Sequence, residues 1–223
     1  MTVTAQVRPA TMSSSKPSDS AKKGLFVVFE GVDGTGKSTV SRMVYEQLEA
    51  EYPGRVELTA EPTDSWLGEC VRRSSAEEVT GAAEALLFVA DRAEHTRQIR
   101  AWLNEGKIVL CDRYYFSTIA YQGAALKASM GAKAAVEWLK EINRPVIEHP
   151  DLTLLLTMRV DAALERLSSR GGKTKFEQLD YLRDVDVIYR ALAMEEPKLH
   201  TIDASRTSVE VAKDAIRLIK NNI

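Results

Sequence analysis

The sequence predicts an α/β fold in which a five-stranded parallel sheet carries helices on both faces. Two observations support that expectation. Short, nearly continuous apolar runs recur along the chain, the pattern of strands covered on both faces. Between them lie longer stretches whose apolar residues repeat at helical spacing. Alternating strand and helix implies parallel pairing through crossover helices.

The first run is LFVVFE, residues 25–30. It is followed over 38–52 by a helical pattern with Val40, Met43, Val44 and Leu48 on one face. VELTA (56–60) reads as a second strand, and 66–74 and 77–103 as helices. KIVLCD (107–112) is the third strand, with helices near 117–128 and 132–143. LTLLLTM (152–158) is the fourth strand, followed by helices at 161–170 and 177–195. LHTID (199–203) is the fifth, and a helix over 207–221 closes the chain. Pro53, Gly54 and the GGKTK of 171–175 mark loops. Residues 1–22, which include most of SSSKPSDSAKK, have almost nothing to bury. They are expected to be a disordered tail, with the globular domain at 23–223. A targeting role for the tail stays open.

Composition narrows the function classes. Hydrophobic residues make up 44% of 223, ample for a core, and the net charge of −2 gives no field to attract nucleic acid or an anionic membrane. No run has the length of a membrane span. Cys70 and Cys111 are too far apart for a metal or redox pair, and Cys111, in an apolar run, is expected to be a buried thiol. His95, His149 and His200 are scattered, with surface or capping roles expected. The whole reads as a cytoplasmic protein.

The chemistry lies in three stretches. In EGVDGTGKST, Gly31, Gly36, Lys37 and Ser38 fit G-x-x-x-x-G-K-[ST]. In that pattern backbone N–H groups turn inward around phosphate oxygens, the lysine adds charge and the hydroxyl can ligate Mg²⁺. The motif lies between a strand and a helix whose positive end faces the same point. Such a phosphate loop serves a nucleotide switch, a motor or a small-molecule kinase. No NKxD segment for guanine follows, and the chain is short for a motor. In DRYYFSTIAYQG (112–123), Asp112 ends the third strand, where ligands of such sheets bind. It can hold Mg²⁺, and Arg113 can clamp a phosphate; the same pair could instead cap a helix. In LFVADR (87–92), Phe88 and Arg92 share a helix face. A ring beside a guanidinium suits a planar heterocycle, although such pairs also occur as core plus surface charge.

Taken together these stretches resemble thymidylate kinase, the family that phosphorylates dTMP with ATP. The resemblance covers residues 25–220. It includes EPT (61–63), RLSSRGGKTKFEQ (166–178) and IDASRT (202–207), and DRYxxSxxAYQG together with an aspartate inside the phosphate loop is its most specific part. It implies a nucleoside monophosphate kinase fold of strand order 2-3-1-4-5. ATP would lie on Gly31, Val32, Asp33, Gly34, Thr35, Gly36, Lys37, Ser38 and Thr39, with Ala204, Ser205 and Arg206 against adenine. Mg²⁺ would be held by Ser38 and Asp112. Asp33 would meet the deoxyribose 3′-hydroxyl and the phosphate-binding Arg113. Phe88 would stack on thymine and Arg92 reach its O4. Ser117, Thr118 and Gln122 would line the base, Tyr121 would lie beneath the sugar, and Glu61 and Pro62 would line the monophosphate pocket. The family also implies a homodimer on the side of the helix at 77–103, whose Ala82, Ala83, Ala85, Leu86, Leu87, Val89, Ala90 and Ala93 make a wider apolar surface than one sheet contact needs.

Two departures are informative. Relatives often carry arginine before the EP pair, where this chain has Ala60. One group of relatives carries a catalytic arginine beside the loop aspartate, where this chain has Gly34. The charge would then come from a lid at 168–176, the pattern of the lid-arginine group, with Arg170 favoured, Arg166 second, and Lys173 and Lys175 nearby. A deoxynucleoside kinase, a kinase for another monophosphate, or a nucleotide-binding regulatory module that has lost catalysis are the alternatives to weigh.

Overall fold

The computed structural model describes residues 24–74, 76, 77, 79–168 and 176–223. The expected tail, most of the expected lid, and Arg170, Lys173 and Lys175 lie outside the described residues. The strands are β1 (Leu25–Glu30), β2 (Val56–Ala60), β3 (Ile108–Asp112), β4 (Leu152–Thr157) and β5 (Leu199–Asp203). All pair in parallel, in the order β2-β3-β1-β4-β5. The helices are α1 (Lys37–Glu51), α2 (Trp66–Ser74), α3 (Gly81–Asn104), α4 (Tyr115–Met130), α5 (Ala132–Asn143), α6 (Val160–Ser168), α7 (Phe176–Glu195) and α8 (Ser208–Lys220).

The continuous apolar run of β1 is used in both directions, as side chains alternate across a strand. Phe26 and Val28 enter a core with α3, α4, α5 and α7. Leu25, Val27 and Phe29 enter the opposite core with α1 and α8. β1 is therefore the central strand, and its carboxyl end delivers the phosphate loop to the middle of the sheet edge where α1 begins. Cys111 is fully buried, as its apolar run implies.

Two helix starts differ from the sequence pattern by two residues or more. α3 begins at Gly81 rather than 77, because Thr80 is its N-cap and its side chain accepts from Ala83 N–H. α4 begins at Tyr115 rather than 117, and its cap comes from far away in the chain. Glu30 Oε1 accepts from Tyr114 N–H at 3.0 Å and from Ser117 N–H at 3.1 Å. A carboxylate on the first free amides of a helix is favourable both as a cap and against the macrodipole.

Candidate active site

The phosphate loop forms an open turn between β1 and α1. Gly36, the N-cap of α1, has a left-handed φ of 90°, which a glycine adopts without the steric cost a Cβ would add. Thr35 Oγ1 and Lys37 Nζ both donate to the Val32 carbonyl at 2.9 Å, bracing the loop from inside. Burial holds the Lys37 ammonium down to about 7, helped by the nearby charge of Arg113 and opposed by Asp33, Asp112 and Glu30. A lysine in that state gains its proton most readily when an anion arrives.

Gly34 bears directly on the second departure. Its φ is +87°, and a Cβ there would lie 2.1 Å from the carbonyl oxygen of Ala163 in α6. Any larger side chain at this position requires α6 to move, so the packing excludes an arginine beside Asp33. A cavity of about 260 Å³ opens on the other side of the loop, lined by Gly34, Gly36, Thr39, Arg166, Ala204 and Arg206 among others. Arg166 donates to the carbonyls of Ala204 at 3.0 Å and Ser205 at 3.3 Å. It thereby fastens α6 to the loop after β5.

On the metal side, the Ser38 hydroxyl donates to Asp112 Oδ2. Asp112 Oδ1 is buried with no hydrogen-bond partner among the described residues. Two hard oxygen donors, one of them under-satisfied, suit Mg²⁺, which commonly takes one or two protein oxygens and completes its shell with phosphate and water.

Arg113 joins β3 to α4 with a left-handed φ of 72°. For a residue with a Cβ that conformation costs about 1–2 kcal/mol, and such outliers concentrate at functional sites. Its amide donates to the Phe29 carbonyl at 2.9 Å, fixing the turn. The guanidinium bonds Asp33, donates to Ser117 Oγ at 3.2 Å, and lies 5.1 Å from the centre of the Tyr121 ring. Tyr121 accepts in turn from the Asp33 N–H at 2.9 Å. The structure thus brings together Asp33, Arg113, Ser117 and Tyr121.

A second cluster lies behind it. Arg92, 1% exposed, donates from Nε and Nη2 to Glu61 Oε2 at 2.9 and 2.6 Å. It also donates to Asn143 Oδ1 at 2.5 Å and to Thr118 Oγ1 at 3.0 Å. Glu61 Oε1 meets His95 Nδ1 at 2.9 Å, and His95 Nε2 meets Thr59 Oγ1 at 2.8 Å. Asp91 holds the turn after Glu61–Pro62, accepting from Thr63 N–H and Oγ1 and from Ser65 Oγ. Phe88 is partly buried one turn before Arg92. Gln122 is buried, and its Oε1 has no partner among the described residues. Pro62 faces a cavity of about 490 Å³ together with Ser38, Arg42, Ala60, His95 and Asp112.

One expectation is corrected here. His95 has neither a surface nor a capping role: it is buried in the Glu61 cluster. His95 lies one turn after Asp91 and Arg92 on the same helix, a spacing that could have revealed it. Sequence reasoning also passed over Glu30, although a carboxylate closing an apolar strand buried on both faces is an anomaly. No comparable local signal marks Asn143, or Tyr189 on α7, whose hydroxyl donates to Glu30 Oε2 at 2.8 Å.

A phosphate loop at the central strand, a hydroxyl–carboxylate pair suited to a hard cation and an arginine bonded to the loop aspartate on the same sheet edge define a P-loop nucleotide kinase. The comparisons with known proteins narrow the class. The thymidylate kinase family model matches residues 29–216. A probable thymidylate kinase of Methanococcoides burtonii is 39% identical over 203 residues, covering 90% of this chain and 98% of the relative. Another, of Pyrobaculum aerophilum, is 42% identical over 198 residues, covering 87% and 96%. The crystal structure of thymidylate kinase from Ehrlichia chaffeensis superposes with a TM-score of 0.69 at 27% identity, covering 88% of this chain and 99% of that one. The chain belongs to the thymidylate kinase family.

Proposed function

We propose that the chain transfers the γ-phosphate of ATP to dTMP, giving dTDP and ADP for dTTP synthesis, with Mg²⁺ between Ser38, Asp112 and the nucleotide phosphates. The observation that carries this reading is the Asp33–Arg113 contact. It ties the donor's phosphate loop to the arginine best placed for the acceptor phosphate. Phosphoryl transfer needs alignment and charge neutralisation more than covalent help. Lys37 and the α1 N-terminus serve the donor phosphates, Arg113 aims the acceptor oxygen, and Mg²⁺ neutralises charge between the donor phosphates.

On the acceptor side, Phe88 stacks on the base, Arg92 and Thr118, both 1% exposed in the free protein, come to its polar edge when dTMP enters, and the unpartnered Gln122 Oε1 accepts from a base N–H. Tyr121 lies beneath the sugar. Adenine occupies the cavity between the phosphate loop and residues Ala204, Ser205 and Arg206. Because the packing at Gly34 leaves no room for a side chain beside Asp33, charge on the transferred group comes from the lid. Arg170 is the favoured donor. Arg166, engaged with Ala204 and Ser205, serves chiefly as a wall of the adenine cavity.

A coupled ADP-release assay with dTMP, dUMP, dCMP, dGMP and thymidine tests the reading. dTMP is expected to be the best acceptor. dUMP, lacking one methyl, is expected to be detectable but about 10–200-fold poorer. Equal turnover of thymidine would point to a nucleoside kinase, and no acceptor-dependent ADP release would point to a binding module.

The working unit is a homodimer through α3. Leu86 is 50% exposed, and Ala82, Leu87, Val89, Ala90 and Ala93 are only partly buried along the same helix. That is a wider apolar surface than the contact with its own sheet uses. Sedimentation should give a dimer at micromolar concentration and a monomer for Leu86→Glu. A wild-type monomer would reject it. Among the described residues no helix is long and apolar enough to cross a membrane, and a cytoplasmic location fits a nucleotide-pool enzyme.

A further inference from the structure

Glu30 is the last residue of β1, fully buried, and the phosphate loop starts at the next position. Its carboxylate is surrounded by donors. Oε1 takes the N–H groups of Tyr114 and Ser117. Oε2 takes the hydroxyls of Ser117 at 2.5 Å and Tyr189 at 2.8 Å. An ionised carboxylate is an acceptor only, with about four lone-pair positions, so these donors fill it. Burial pushes the Glu30 carboxyl up, and the bonds from Ser117 and Tyr189 pull it back down. A carboxylate beside a phosphoryl-transfer site invites the role of a general base. The geometry excludes it: no lone pair is left, and a phosphate acceptor has no proton that must be removed.

We propose that Glu30 is the positioning residue of the acceptor side. One carboxylate at the end of β1 fixes the N-terminus of α4 and, through Ser117 Oγ, the guanidinium of Arg113 relative to the phosphate loop. Ser117 Oγ accepts from Arg113 Nη1 while its own proton goes to Glu30. Tyr189 brings α7 to the same point. Because Gly31 follows Glu30 directly, donor loop and acceptor helix share one anchor, and a shift of either alters the in-line distance. A misplacement of about 1 Å can cost roughly a hundredfold in rate. The inference rests on Arg113 holding the acceptor phosphate.

The test measures dTMP and ATP dissociation constants, kcat and thermal midpoint for Glu30→Gln, Glu30→Ala, Tyr189→Phe and, as a reference, Arg113→Gln. Glu30→Gln keeps one oxygen for the two amides but loses the charge and the second acceptor. It is expected to weaken dTMP about tenfold, the effect of one charge-assisted hydrogen bond, with ATP binding changed less than twofold. Tyr189→Phe should show the same split at about threefold, and Glu30→Ala the largest effect if it folds. A purely structural role would lower the midpoint and weaken both nucleotides alike. That outcome, or dTMP binding and kcat within twofold of wild type in folded Glu30→Gln and Tyr189→Phe, overturns the proposal. If Arg113→Gln itself leaves dTMP binding unchanged, the reading of Arg113 fails first and the proposal with it. If Arg113→Gln weakens dTMP and the Glu30 variants do not, only the positioning role fails.

Discussion

On the proposed function, the donor and acceptor sides of the site are built in opposite ways. The donor side is one continuous turn, residues 31–38, with the loop after β5 as its far wall. The acceptor side is assembled from β1, the β2–α2 turn, α3, α4, α5 and α7, held by buried ionic and hydrogen-bonded groups. A backbone cradle carries its geometry in local φ and ψ, and distant substitutions disturb it little. A buried network carries its geometry in mutual satisfaction, so removing one partner leaves another unsatisfied. Substitutions on the acceptor side should therefore spread, and those on the donor side should stay local.

The largest expected effect tests the junction of the two sides. Arg170→Ala should lower turnover by about 10²–10⁵-fold, the range of a finger arginine, with dTMP affinity little changed. Arg166→Ala should instead raise the KM for ATP by about tenfold, the loss of roughly one hydrogen bond from a charged donor, with a smaller change in kcat. Steady-state kinetics with both substrates varied separates them. If Arg166→Ala loses turnover and Arg170→Ala does not, the two assignments are exchanged. If both keep near-normal turnover, the lid only binds ATP.

Next in size is Glu61→Gln. The Arg92–Glu61 pair has side chains 1% and 3% exposed. Leaving one buried charge without its counter-ion costs about 3–5 kcal/mol, or roughly 6–20 °C of thermal midpoint for a domain of this size. The loss should spread to dTMP binding through Arg92 and leave ATP binding within about twofold. Calorimetric unfolding and two binding titrations measure it. A midpoint within 2 °C of wild type would show that Arg92 finds compensation elsewhere, and the contrast between the two sides would weaken.

Gly34→Ala should break the donor side in its most crowded spot. A Cβ would meet the Ala163 carbonyl at 2.1 Å from a left-handed backbone, a strain of about 1–3 kcal/mol that α6 must relieve by moving. Turnover should fall more than dTMP binding, because α6 leads into the lid. Normal kinetics would mean that α6 yields easily and that packing does not forbid a side chain at this position.

Legibility followed the same division. The donor side was open to reading because its residues are neighbours in sequence and its chemistry requires glycine, lysine and serine at fixed spacing. The sheet was legible because β1, β3 and β4 are apolar on both faces. The acceptor side was legible only where a helix puts two members on one face, as with Phe88 and Arg92, or where they follow each other, as with Asp112 and Arg113. Glu30 and Tyr114 are 84 residues apart, and Arg92 and Asn143 are 51 apart. No local pattern encodes such pairs. The start of α4 was misplaced for this reason: its cap is a carboxylate on another element. His95 is legible only in part: its spacing one turn after Asp91 and Arg92 puts it beside them on α3, but nothing local names Glu61 as its partner, 34 residues away.

The last comparison concerns a proton. Lys37 is held down to about 7 in the free protein, chiefly by burial and next by the charge of Arg113, against about 10.4 for an exposed lysine. Between those values the unfolded chain binds a proton that the folded one does not. This group therefore makes folding less favourable at pH 7 and below, and its penalty is relieved as pH rises from about 7 towards 10.4, by at most about 1.4 kcal/mol per pH unit. The stability of wild type relative to Lys37→Met should accordingly climb between pH 7 and 9 and stay flat below pH 7. ATP reverses the balance, because its phosphates favour the ammonium. Binding at pH 8.5 should take up close to one proton, and binding at pH 6 almost none from this lysine. Calorimetric titration in two buffers of different ionisation enthalpy counts the protons, and denaturant titrations of wild type and Lys37→Met give the stability slope. No uptake at pH 8.5, together with parallel stability curves, would show that the free loop already holds a charged lysine. The donor cradle would then be electrostatically complete before its ligand arrives, as the acceptor side is through its paired arginines.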